Sequence, residues 1–158
     1  MSSWTAPEFM DELATAVAAR SGITALTPKV RVLTYWPSAD ESITDALILY
    51  AAEDTAEHTV MNPSTKPQDE EVNVEGEIRV ARAGAGSTVA KACRDRAMTI
   101  LNELDAQLRT APPAVGQQTL RARLAGRRMD QFPSESGNAP VRVCLVNFTI
   151  SYRARTTT

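Results

Sequence analysis

Between residues 71 and 80 the chain alternates without a break, Glu-Val-Asn-Val-Glu-Gly-Glu-Ile-Arg-Val. Side chains change face at each step of a strand, so Val72, Val74, Gly76, Ile78 and Val80 share one side, and Glu71, Asn73, Glu75, Glu77 and Arg79 the other. A slip of one residue would bury the charges and expose the valines, which fixes the register. The pattern predicts a sheet with one dry face and one wet face, and whatever covers the dry face must come from elsewhere in the chain.

Two helices are predicted to do so. Thr5-Ala-Pro-Glu8 has the form of a capping box with proline in the first turn, and Phe9, Leu13, Ala16 and Val17 then recur at helical spacing until Arg20 and Ser21-Gly22. The opposite side of this segment carries Glu8, Asp11 and Glu12, the wrong sign for an anionic membrane surface. A longer helix is expected from Ser87 or Thr88 to Arg109, burying Ala90, Cys93, Ala97, Ile100, Leu101, Leu104 and Leu108.

Further strands surround the alternating one. Residues 29–36, Lys-Val-Arg-Val-Leu-Thr-Tyr-Trp, are rich in β-branched and aromatic types, and 141–155 place Cys144, Val146, Phe148, Ile150 and Tyr152 on one side. Val143 and Leu145 make the start of that last segment apolar on both sides, which argues for a central position in the sheet. Residues 43–52 suit either a buried strand or a short helix, with Leu-Ile-Leu-Tyr favouring the strand, and 118–129 are open between strand and helix. Residues 54–69, with two prolines and no period, are expected to be a long loop; 133–140 a polar turn; and 156–158 a flexible tail. The whole is predicted to be a single α+β domain over 1–158, a largely antiparallel or mixed β-sheet with an N-terminal helix and one long helix on one face.

Charge is divided along this chain. Residues 1–77 hold 14 acidic against 4 basic side chains, and residues 78–158 hold 5 acidic against 13 basic, all but Lys91 of the latter being arginine. Such a division points to a partner, either nucleic acid or a complementary surface of a second copy. Aromatic residues make up only 5% of the chain, too few for a base-stacking platform. No stretch approaches the length of a membrane span, and no basic-then-apolar leader opens the sequence, so a protein without membrane attachment is expected.

Motifs for chemistry are sparse. His58 is the single histidine, no serine lies in a nucleophile-elbow sequence, and one imidazole with Cys93 and Cys144 lacks the ligand set and spacing of a zinc site. The two cysteines are read as reduced core thiols. Gly84-Ala-Gly-Ser-Thr88 lacks the lysine of a phosphate loop and the third glycine of a dinucleotide fingerprint, and reads as a strand-to-helix connection. Glu75 and Glu77 share a strand face and read as solvated carboxylates. No catalytic, cofactor-binding or metal-binding residue is therefore assigned, and no enzymatic activity is expected. Arg121, Arg123, Arg127 and Arg128 form a basic group suited to carboxylate or phosphate contacts.

The succession of an Ala-rich first helix, strands, the run Val74-Glu-Gly-Glu-Ile-Arg-Val80, a glycine turn, the long helix Val89–Leu108 and the closing strand Phe148-Thr-Ile-Ser-Tyr-Arg-Ala-Arg155 resembles the tail terminator proteins of long-tailed phages with non-contractile tails. The resemblance covers nearly all of residues 6–155 and rests on element order. It implies a non-enzymatic virion protein: a homo-oligomeric ring of six at the head-proximal end of the tail that caps the tube, stops tube polymerisation and meets the head connector or stopper. Assembly would take place in the host cytoplasm, with DNA passing through the ring unbound. Expected alternatives are a head–tail connector, neck or tube component, and, in another class, an arginine-rich nucleic-acid-binding module. In the ring reading Arg121, Arg123, Arg127 and Arg128 are subunit-interface candidates, Glu71, Glu75 and Glu77 face the channel, and His58, Met61, Asn62 and Lys66 form a partner-contact loop.

Overall fold

The structure, a computed structural model, describes residues 4–38, 44–55, 68–113 and 118–156. Five strands form one mixed sheet in the order β1-β2-β3-β5-β4, and its helices pack on one face. The short β1 (Arg31–Leu33) runs parallel to β2 (Asp45–Asp54). All other neighbours, β2 with β3 (Gln68–Ala83), β3 with β5 (Ala139–Thr156) and β5 with β4 (Gln118–Ser136), are antiparallel. The expected α+β class with a central closing strand is what the chain adopts, and both ambiguous segments are strands.

The alternation of β3 sets the layers. Val72, Val74, Ile78 and Val80 are buried on the helix side, joined there by Leu47 and Leu49 from β2 and by Cys144, Val146, Phe148, Ile150 and Tyr152 from β5. Helix α3 (Ser87–Thr110) lays Cys93, Ala97, Ile100, Leu101, Leu104 and Leu108 on this surface. Helix α1 (Ala6–Ala18) adds Phe9, Leu13, Ala14 and Val17, with Ala14 buried where the spacing had suggested Ala16. Arg20, just beyond α1, ties the two helices together by donating to Glu103 at 2.7 Å and Gln107 at 3.0 Å; the short α2 (Ser21–Thr24) follows. Gly76 is a close-approach position: a Cβ there would lie 2.3 Å from the Phe148 ring and 2.8 Å from the Ile48 carbonyl oxygen.

Local expectations at the helix ends are corrected by contacts remote in sequence. Thr5 makes no capping bond within α1. Its N–H and its hydroxyl both donate to Glu70 Oε2, at 3.2 and 2.7 Å, so a carboxylate from β3 sits at the positive end of the helix in place of Glu8. With the Thr5 proton committed to Glu70, Tyr152 donates its hydroxyl to Thr5 Oγ1 at 2.9 Å, and its ring stacks on Phe9 at 3.9 Å. The first residue of α3 is Ser87, and its cap is Gly86, whose φ of 98° is readily reached only by glycine.

The predicted polar turn at 133–140 is instead the end of a hairpin. β4 continues through Pro133 to Ser136, and only Gly137 and Asn138 turn the chain into β5. Proline is tolerated because, among the described residues, β4 is an edge strand with β5 on one side and no strand on the other. Residues 29–36 yield only the three-residue β1, and Thr156 belongs to β5 rather than to a flexible tail. Most of the expected 54–69 loop, with residues 56–67, lies outside the described residues. Cys93 and Cys144 are free and buried in the core, the Cys93 thiol donating to the Arg142 carbonyl at 3.4 Å; burial pushes both thiol pKa values up.

Candidate functional site

One face of the sheet carries no helix among the described residues, and its side chains form rows set by register. Glu71, Arg153 and Arg121 are successive partners across β3, β5 and β4; the next rows are Asn73, Ser151, Arg123, then Glu75, Thr149, Gly126, then Glu77, Asn147, Arg128. All three of the predicted acidic residues and three of the predicted arginines therefore lie on one face of the same subunit. Arg127 is the exception: a register shift between Leu124 and Gly126 places it opposite Phe148, on the helix side.

Electrostatic contacts on this face are loose. Arg153 lies 4.0 Å from Glu71 with both side chains about half exposed, a geometry worth little in water. Ser151 donates to Asn73 at 2.6 Å, and Arg128 bonds Asp130 on its own strand. Arg121, Arg123 and Arg127 are exposed and make no ion pair with another described residue. A shallow groove of about 390 Å³ runs between Thr55, Glu71, Asn73, Arg121, Arg123 and Arg153.

Further along the same face the character changes. Tyr50 meets Trp36 edge-on at 5.0 Å, and the Arg79 guanidinium lies 5.6 Å from the Trp36 ring, within range of a cation–π contact. Trp36 remains 55% exposed. Glu77, expected on the wet surface beside Glu71 and Glu75, is 4% exposed and 3.5 Å from Arg79. The period of two assigned its face correctly, but a face is not the same as solvent, and Glu77 is removed from the set of wet carboxylates. Burial, Glu75 and Glu77 together push the Tyr50 pKa above its ordinary value. Leu33, Ala46 and Ile48 form a second small buried cluster on this side, and Phe132 is exposed near Val143.

A second charged group, beneath α3, escaped sequence reasoning. The Asp45 carboxylate is wholly buried and receives both terminal nitrogens of Arg82 and, at 3.1 Å, Arg96. Arg96 also donates to the carbonyls of Thr27, at 2.8 Å, and Pro28, at 3.3 Å, fastening the segment before β1 to α3. The signal was an acid inside the apolar run 43–52, since a buried carboxylate requires a partner. The contact joins the acidic half of the chain to the basic half, as Glu71 with Arg153 does, so part of the charge division is satisfied within one subunit.

The surface offers recognition, with Trp, Tyr and Arg at one end and opposite charges at the other. Among the described residues no three His, Cys, Asp or Glu side chains converge as metal ligands, and no helix is long and apolar enough to cross a membrane. The proposed partner loop, His58, Met61, Asn62 and Lys66, lies outside the described residues. No protein-family model matches the sequence, and a search of curated proteins finds no match.

Proposed function

We propose that this protein is a structural assembly subunit: a ring of six copies that caps the tail tube of a long-tailed phage with a non-contractile tail, ends tube growth and offers a docking surface to the head connector. The observation that carries the reading is the uneven dressing of the sheet. One face is sealed by α1 and α3, while the other presents Trp36, Tyr50, Phe132 and exposed arginines to whatever lies outside the subunit. The element order of tail terminators supports the same assignment. Were the open face to line the channel, Glu71 and Glu75 would discourage passing phosphates from binding.

A nucleic-acid module is less well supported, because Glu71 and Glu75 are interleaved with the arginines rather than separated from a continuous basic track. The test is to add the purified protein to growing tail tubes. The expected result is a ring at one end of each tube and arrested elongation; unchanged elongation with no bound ring would overturn the reading.

A further inference from the structure

The sheet has two open edges, and they match. On one side β1 pairs only with Ala46–Ile48 of β2, so among the described residues Leu49–Asp54 face no strand beyond β2. On the other side, among the described residues, the whole of β4 is bonded only to β5. Unpaired strand edges are ready templates for another strand and are ordinarily short or guarded. These two are of opposite charge: Glu53 and Asp54 on the first, Arg121, Arg123 and Arg127 on the second.

Their levels also correspond. Glu53, Asn73, Ser151 and Arg123 are successive partners across β2, β3, β5 and β4, all on the open face. Ala51, Glu75, Thr149 and Gly126 form the adjoining row, and both edge strands carry their register shift beside it. Because each step from β2 to β4 is antiparallel, β4 runs opposite to β2. A second copy displaced sideways along the sheet, without reversal or sliding, therefore meets the first in antiparallel sense with Glu53 beside Arg123. The rows of Ala46–Ile48 are already occupied by β1, and these are the rows of Arg128, Met129 and Asp130.

We infer that neighbouring copies join edge to edge, Leu49–Asp54 of one β2 pairing antiparallel with residues 122–127 of the next copy's β4, and Glu53 lying against Arg123. This rests on the ring reading and specifies its contact. The joint is head-to-tail, so repetition closes into a ring or continues as a filament, and closure removes these edges. Main-chain bonds supply the attachment, and the paired charges fix partner and register. In such an assembly every α1 and α3 lies on one surface and every open face on the other.

The test uses two single-cysteine additions in the full chain, Glu53→Cys and Arg123→Cys. Directly opposed strand positions place Cβ atoms about 4.5–5.5 Å apart, near enough for a disulfide after a small adjustment. Mixed in equal amounts and oxidised, the two variants are expected to give covalent dimers about tenfold above either variant alone, and the double variant E53C/R123C a ladder ending at the ring. The native Cys93 and Cys144 are buried, and wild-type protein sets the background. Rings visible by negative stain without that cross-link would overturn the edge pairing and leave the ring reading standing. Protein that remains monomeric, alone and on tubes, would overturn both. A cross-link to tube protein in place of a second copy would also overturn the pairing.

Discussion

The two faces of this sheet are made from the same strands, yet they obey different rules. On the helix side the apolar residues of β3 and β5 join those of α1 and α3 in one core, and two buried carboxylates at its margin are both held, Asp45 by two guanidinium groups and Glu70 by Thr5. On the open side the ion pairs are looser and wetter, Glu71 and Arg153 at 4.0 Å with both side chains about half exposed and Arg128 with Asp130 at 3.2 Å, and of these charges only Glu77, 3.5 Å from Arg79, is buried. The first face stabilises the subunit. The second adds the small buried cluster of Leu33, Ala46 and Ile48, and its exposed residue types, Trp, Tyr and Arg, are those that recognise another surface. Substitutions on the helix side should therefore change stability, and those on the open side assembly.

The largest expected effect is at Asp45. Replacing it with Asn leaves Arg82 and Arg96 without their counter-ion beneath α3, and urea unfolding should show a loss of about 3–5 kcal/mol. Gly76→Ala comes next, at about 1–3 kcal/mol, because its methyl group would strike both the Phe148 ring and the backbone of β2. A loss below about 0.5 kcal/mol at either position would mean that the dry face is looser than described.

Tyr152 connects this face to pH. Burial pushes its phenol from 10.0 to about 12, so the neutral form is favoured in the folded chain. That stabilisation is fully present below pH 10 and is lost as pH rises from about 10 to about 12, the range in which the unfolded chain ionises more readily. Tyr152→Phe should remove this part of the alkaline loss measured by thermal melts. At neutral pH it should cost about 0.5–1.5 kcal/mol through the missing bond to Thr5.

The smallest effect on folding and the largest on assembly is expected for Arg121→Glu with Arg123→Glu. Unfolding should move by less than about 0.5 kcal/mol, as for other exposed charges, while the concentration needed for ring formation rises about tenfold or more. Arg128→Glu, in the row closed by β1, is the control and should leave assembly near wild type. Equal effects of the two changes would erase the distinction among the arginines.

How much of this could be read in advance follows from the range of each interaction. The alternation of 71–80, the α3 stripe from Cys93 to Leu108 and the apolar row of β5 from Cys144 to Tyr152 depend on near neighbours, and each appears in the structure, with only Ala90 of the expected α3 stripe left half-buried. The Glu70 cap of α1 lies 65 positions from Thr5, and the Arg96 contact to Asp45 spans 51, distances that no periodicity encodes. Residues 133–140, rich in proline and polar side chains, read as a turn from composition; an edge strand admits such a segment, proline included, because it has ladder bonds to keep on one side alone. The four candidate arginines looked like one group until a register shift turned Arg127 to the other face. Glu77 followed the alternation and was still buried, since exposure depends on what folds over a face as well as on parity.

Native mass spectrometry of the purified full chain across protein concentration tests the central claim most directly. The account predicts a closed species of six subunits in equilibrium with monomer, shifted toward monomer by the Arg121 and Arg123 reversals. A monomer at every concentration, alone and in the presence of tail tubes, would contradict it.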